Sequence, residues 1–225
     1  LTSIDVNGFA AGIFIPGATA NVLTVQDVIN SDASNTGLLT ITTNQDGAGA
    51  TGRVNFTGAS SIIDTKVIAN GTGNANQISY IDIGDGTNDI TFGSTEANDD
   101  STIDVAAIAG GKTTINFDQA TVNATIQDTA ATSANAASIT FNIDGDTTFN
   151  GVFDLDANIN ASNNMKMDVD ASTTLTINNN FTFSDNGVST QAGPSVITLA
   201  ANATLVLSKD SSTVMAVVTG NATNT

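Results

Sequence analysis

The sequence predicts an all-β fold, a right-handed parallel β-helix (β-solenoid), and three observations carry that expectation. Apolar and polar residues alternate in many short runs, helix-favouring residues are scarce, and Asn-Gly or Asp-Gly pairs punctuate the runs. Successive side chains of a strand point to opposite faces, so a strand with one buried face reads apolar, polar, apolar. Glu occurs once, at Glu96, and Lys plus Arg total 5 against 35 Thr and 27 Asn, a balance that favours extended chain over helix.

The alternating runs are, in order, Val54-Asn55-Phe56, Ile81-Asp82-Ile83, Ile90-Thr91-Phe92, Ile103-Asp104-Val105, Ile115-Asn116-Phe117 and Ile139 to Asp144. They continue with Phe153-Asp154-Leu155, Met165 to Asp170, Leu175-Thr176-Ile177, Phe181-Thr182-Phe183, Ile197-Thr198-Leu199 and Leu205-Val206-Leu207. Between them stand Asn7-Gly8, Asp46-Gly47, Asn70-Gly71, Asp85-Gly86, Asp144-Gly145, Asn150-Gly151 and Asn186-Gly187, pairs that supply positive φ at low cost.

Such turns suit the hairpins of an antiparallel β-sandwich, which is the alternative fold, as well as the corners of a solenoid. Two features favour the solenoid. The apolar pairs recur at irregular intervals instead of in the steady rhythm of hairpins, and the exposed positions hold Thr, Asn, Asp and Ser, which can stack in ladders between coils. Residues 1–225 are therefore read as a single β-solenoid segment, excised from or part of a longer surface protein. With coils of roughly 20 to 25 residues it would have about ten coils and a length of some 45 to 50 Å. No repeat consensus fits more than a few of the runs.

Composition narrows the chemistry. With no Cys there is no disulfide and no thiolate, and with no His there is no imidazole base or ligand, so any catalysis would rest on carboxylates. A net charge of -17 repels nucleic acid and anionic membrane surfaces, and the longest nearly apolar stretch, Phe9 to Ile15, is too short for a transmembrane segment. The chain opens at Leu1 with neither Met nor a signal-like head, as a processed mature chain or a fragment would.

The runs Thr113 to Ala120 and Ser172 to Phe183 resemble, in composition and rhythm, the passenger regions of bacterial autotransporters of the rickettsial surface-antigen style. The resemblance covers about Leu38 to Val218 and carries no catalytic motif. It implies a right-handed β-helix displayed outside the cell as an adhesin or coat component, anchored in that family by an outer-membrane β-barrel. The same residues also resemble surface-layer and matrix-forming proteins, which implies calcium-assisted self-assembly into sheets or filaments. The expected partners are then neighbouring subunits or a host or matrix ligand, and the expected location is the extracellular cell surface.

The sharpest local cluster is Asp82-Ile-Gly-Asp-Gly-Thr-Asn-Asp89, in which Asp82, Asp85, Asn88 and Asp89 offer oxygen ligands on a glycine-bent loop. Calcium, a hard cation taking six to eight oxygens, is the cofactor such a loop suits. The bland reading is an Asp/Gly turn whose carboxylates cap amides or face water. Three close carboxylate pairs, Asp144/Asp146, Asp154/Asp156 and Asp168/Asp170, raise the second alternative of a polysaccharide-acting enzyme with an acid and base pair. In so acidic a chain such pairs arise on solvated strand faces, and there is no Trp and only Tyr80 to stack on sugar, so no enzymatic activity is expected. The five cations, Arg53, Lys66, Lys112, Lys166 and Lys209, are too dispersed for an anion site and suit pairing with an Asp of a neighbouring strand. The apolar ends, Phe9 to Pro16 and Val214 to Val218, are expected to stack on more of the same chain or on neighbouring subunits, since a solenoid leaves unpaired amides at each end.

Overall fold

The computed structural model describes residues 1, 4–5, 11–15, 21–29, 39–43, 51–58, 62–63, 65–69, 78–87, 89–93, 101–105, 111–127, 138–155, 164–183, 196–208, 213–214 and 217–220. Among them are 24 strands and no helix, so none is long and apolar enough to cross a membrane. The strands form three sheets of eight, and every pairing is parallel between coil and next coil. The fold is a three-sided β-solenoid.

The first sheet holds β1 (Ile4–Asp5), β4 (Val28–Ile29), β7 (Ile62–Ile63), β10 (Ile90–Phe92), β13 (Ala120–Val122), β16 (Thr147–Phe149), β19 (Thr174–Ile177) and β22 (Thr204–Leu207). The second holds β2 (Ala11–Ile15), β5 (Leu39–Thr43), β8 (Thr65–Ala69), β11 (Thr102–Val105), β14 (Thr125–Gln127), β17 (Phe153–Leu155), β20 (Phe181–Phe183) and β23 (Thr213–Val214). The third holds β3 (Asn21–Val25), β6 (Thr51–Phe56), β9 (Ile78–Gly84), β12 (Lys112–Asp118), β15 (Ser138–Ile143), β18 (Asn164–Val169), β21 (Val196–Leu199) and β24 (Val217–Gly220). Each coil visits the sheets in that order.

Alternation along each strand becomes columns across the coils. In the third sheet Leu23, Val54, Ile81, Ile115, Phe141, Met167 and Ile197 stack inward, and two residues on Val25, Phe56, Ile83, Phe117, Ile143, Val169 and Leu199 do the same. Between them Thr24, Asn55, Asp82, Asn116, Asn142, Asp168 and Thr198 form the outward column. The core changes character along the axis. Its later coils hold a cluster of rings in which Phe153 lies 5.2 Å from Phe141 and 4.9 Å from Phe181. Its earlier coils are mainly aliphatic, with the ring pair Phe56 and Phe92 at 5.4 Å, and admit buried hydroxyls: Thr43 and Ser79 share a 2.7 Å hydrogen bond and Thr65 Oγ1 donates to the Leu39 carbonyl, while Thr102 Oγ1 is buried with no hydrogen-bond partner.

The expected coil size needs correction. Eight coils are present instead of about ten, and one third-sheet position recurs from Val54 to Ile81, Ile115, Phe141, Met167 and Ile197, steps of 27, 34, 26, 26 and 30 residues. Seven spacings of about 4.8 Å between eight strands give a rod of roughly 34 Å, shorter than expected. Connections between sheets vary from the single residue Gln119 between β12 and β13 to the twelve residues between β20 and β21. Columns keep their register while the linkers change length, so no fixed period runs through the sequence.

Candidate functional site

Chemistry-bearing side chains gather at the outward face of the third sheet and at the corner where the chain turns into the first sheet. In the corner column Gly84 pairs with Asp118, and Asp144 and Asp170 follow, their amides donating to the carbonyls of Phe117 (2.8 Å) and Ile143 (3.0 Å). Three carboxylates thus stand one above another, one coil apart. Beside them runs the column Asp82, Asn116, Asn142, Asp168.

Glycines shape this corner. Gly84 has φ +107°, and a Cβ there would lie 1.9 Å from the Asp118 carbonyl oxygen, so no other residue fits without moving the next coil. Gly86 and Gly145 lie on either side of the Asp118 carboxylate and leave it room.

The two columns differ in how they handle charge. Asp82 accepts a forked pair from Arg53, with Nη2 to Oδ1 at 3.0 Å, and a further bond from Asn116 Nδ2. Asn116 in turn accepts from Asn142 Nδ2 at 2.8 Å. The Asp82 hydrogen bond is the main reason the Arg53 pKa rises above its ordinary value, partly offset by desolvation, and the guanidinium also sits 5.0 Å over the Tyr80 ring. Lys166 pairs with Asp168 at the far end of the same face. The corner column has no such pairing pattern. Asp144 is pushed above the usual carboxylate range, first by partial desolvation against its neighbours, although the residue as a whole is exposed, and then by the charges of Asp170, Asp118 and Asp82.

The four residues expected to bind calcium are placed apart in function. Asp82 is committed to Arg53 and Asn116 on the sheet face. Asp85 caps its own turn, its Oδ1 accepting from the Thr87 amide at 2.9 Å. Asp89 immediately precedes β10 of the first sheet and accepts from Gln119 Nε2 at 2.7 Å, and Asn88 lies outside the described residues. Among the described residues no group of three or more Asp or Glu is arranged to hold a metal ion.

The paired carboxylates are also divided. Asp144 belongs to the corner column, while Asp146 accepts from the Thr174 amide at 2.7 Å and faces a shallow open groove of about 380 Å³ on the first sheet, with Asp89, Thr121, Thr148 and Thr176. Asp168 is bound to Lys166, Asp154 is exposed on the second sheet, and Asp156 lies outside the described residues. Of the remaining cations, Lys66 stands 4.0 Å from the nearly buried Asp104, and Lys209 lies outside the described residues.

Sequence reasoning missed an asparagine ladder at the opposite corner, between the first and second sheets. Asn150 Nδ2 donates to Asn123 Oδ1 (3.0 Å) and Asn178 Nδ2 to Asn150 Oδ1 (2.9 Å), while Asn123 Nδ2 ends the chain on the Gly93 carbonyl (2.9 Å). The spacing of 27 and 28 residues between these asparagines was the available signal.

No protein-family model, curated protein or solved structure matches the chain.

Proposed function

We propose that the chain is a non-catalytic structural segment of an extracellular bacterial surface protein, working as a rigid rod that displays or builds a surface, in the manner of an adhesin passenger or coat component. The observation that supports this most is the way polar side chains are used. Ladders such as Asp82–Asn116–Asn142 and Asn123–Asn150–Asn178 spend their hydrogen bonds on neighbouring coils, which stiffens the stack and leaves a polar, acidic exterior. Net charge of -17 keeps such a rod soluble and apart from polyanions.

Antibodies raised against the rod test the location. Labelling of intact source cells, lost after external protease treatment, is the expected result; labelling that requires permeabilised cells overturns the reading. A screen of neutral and acidic polysaccharides is expected to release no product, and release that disappears with Asp144→Asn or Asp146→Asn would establish the enzymatic alternative instead.

A second reading, calcium-assisted assembly, is favoured by the Asp118–Asp144–Asp170 column, whose mutual repulsion a divalent cation arriving from solvent or from a neighbouring rod would relieve. Calcium is expected to raise the melting temperature reversibly. Identical melting with calcium and with chelator overturns it.

A further inference from the structure

We infer that Asn150 is a latent modification site: an Asn-Gly amide able to deamidate through its own backbone, held intact by the asparagine ladder, so that opening of this corner is recorded as a permanent aspartate or isoaspartate. Asn-Gly is the pair in which this reaction meets least obstruction, because glycine has no side chain to shield the attacking nitrogen or to restrict the turn the chain must make. Of the four such pairs, Asn150-Gly151 lies among the described residues, and Asn7-Gly8, Asn70-Gly71 and Asn186-Gly187 lie outside them. The reaction needs only water. The Gly151 backbone nitrogen bonds to Asn150 Cγ, the Cγ–Nδ2 bond breaks, and Nδ2 leaves as ammonia with the proton that the Gly151 amide gives up. Water then opens the resulting cyclic imide on one side or the other of its nitrogen, giving aspartate or, where the backbone now passes through Cγ, isoaspartate.

Three features of the corner oppose the first step. Both ends of the Asn150 side-chain amide are engaged on neighbouring coils: Nδ2 donates to Asn123 Oδ1 at 3.0 Å, and Oδ1 accepts from Asn178 Nδ2 at 2.9 Å. The amide therefore lies along the rod axis, and Cγ turns to Gly151 only when both bonds break. The attacking nitrogen is occupied as well, since the Gly151 N–H donates to the Val122 carbonyl at 3.2 Å, beside the Asn150 N–H at 2.8 Å. The peptide joining the two residues is also fixed. Its carbonyl accepts from Asn179 Nδ2 at 2.9 Å, and Gly151 packs so closely on the preceding coil that a Cβ there would lie 2.0 Å from the Ala124 carbonyl oxygen. Burial is not the protection, because Asn150 is exposed and water is at hand.

The mark does not reverse. An ionised aspartate at position 150 has no donor for Asn123 Oδ1, and an isoaspartate adds a methylene to the backbone where Gly151 has no room to move, so the ladder is not rebuilt as it was. The bonds that join the coils thus also keep their own central amide intact, and the two roles fail together. Because the reaction draws only on the opened population, its rate in the folded chain reports how often this corner opens.

Site-resolved peptide mapping by mass spectrometry, on the 225-residue chain kept in mildly alkaline buffer, tests this. The chain in urea and a synthetic peptide of residues 147–155 give the unprotected rate. Asn150 in the folded chain is expected to deamidate at least about tenfold more slowly than in either reference, since several hydrogen bonds must break before the imide can close. Asn178→Ala and Asn123→Ala lie 28 and 27 residues away and leave the local sequence untouched. Each is expected to raise the folded-state rate several-fold and to leave the rate in urea unchanged. Asn116→Ala cuts the other ladder and is expected to alter neither rate. Equal rates in the folded chain and the peptide overturn the proposal. So do ladder variants that leave the folded-state rate at the parent value, or an Asn116→Ala chain that deamidates at Asn150 as fast as they do, which would assign the protection to global stability alone.

Discussion

The two polar corners of the solenoid solve one geometric problem with opposite chemistry. At the corner between the first and second sheets Asn123, Asn150 and Asn178 stack one coil apart; all three amides donate along the axis, and Asn123 and Asn150 also accept. At the corner between the third and first sheets Asp118, Asp144 and Asp170 stack in the same way, and a carboxylate can only accept. The backbone places any short polar side chain in such a column; whether the column holds coils together or pushes them apart depends on the presence of a donor. Cohesion belongs to the asparagine corner, and the aspartate corner is where solvent, cations or a partner have something to add.

The largest expected effect comes from the backbone beneath each ladder. A Cβ at Gly151, in the asparagine corner, would lie 2.0 Å from the Ala124 carbonyl oxygen and 2.4 Å from that of Asn123, both of them backbone atoms. Gly151→Ala should cost about 3 kcal/mol in urea unfolding, the range of severe overpacking. At Gly145, in the aspartate corner, the nearest atom is the Asp118 carboxylate oxygen, with the Gln119 amide nitrogen next at 2.7 Å. Gly145→Ala should cost less, about 1–2 kcal/mol. Equal costs would mean that the asparagine corner is no tighter than the acidic one.

Next in size is the conversion of one corner into the other. Asn150→Asp removes the donor to Asn123 Oδ1 and sets a carboxylate against that oxygen, while the bond from Asn178 is retained. The ladder is exposed, so the loss at pH 7 should be modest, about 1 kcal/mol. It should shrink under acid conditions, where the protonated carboxyl donates again. Asn150→Ala should cost a similar amount at every pH, and comparison of the two pH profiles separates missing hydrogen bonds from added charge.

How much of this was legible differs between columns and linkers. The alternation at Ile81-Asp82-Ile83, Ile115-Asn116-Phe117 and Phe181-Thr182-Phe183 reads directly as strand because the outward and inward positions have different chemistry. Thr147–Phe149 and Ala120–Val122 are harder to read as strands because one of the two inward positions in each holds a residue, Thr147 or Ala120, that is buried without being large and apolar. Asn116-Phe117-Asp118, Asn142-Ile143-Asp144 and Asp168-Val169-Asp170 recur every 26 residues, and their alignment would have revealed both outward columns. Linkers of unequal length on either side hid that repeat. The cluster from Asp82 to Asp89 was visible as residues but not as a geometry: Arg53 and Asn116, which engage Asp82, lie 29 and 34 positions away, and Gln119, which engages Asp89, lies 30 away.

The smallest effect is the most specific to the acidic corner. Asp144 holds its proton more tightly in the folded chain than its ordinary value of 3.8, because partial desolvation and the charges of Asp170, Asp118 and Asp82 all disfavour the anion. Between that ordinary value and the raised one, the folded state binds more protons than the unfolded state, so stability falls as pH rises through the window and stays reduced above it. Asp144→Asn removes the penalty and places an amide between two carboxylates, where it can donate as Asn142 does to Asn116 in the adjacent column. Solvent screening at this exposed corner keeps the gain small, a rise of about 1–2 °C in melting temperature at pH 7 for a chain of this size. The advantage should vanish as pH drops below the ordinary carboxylate range, where Asp144 is neutral in both states. Calcium, if it acts through this column, should raise the melting temperature of the parent chain more than that of Asp144→Asn. A variant that melts lower than the parent at pH 7 would show that the aspartate corner is held together by Asp144 and not strained by it.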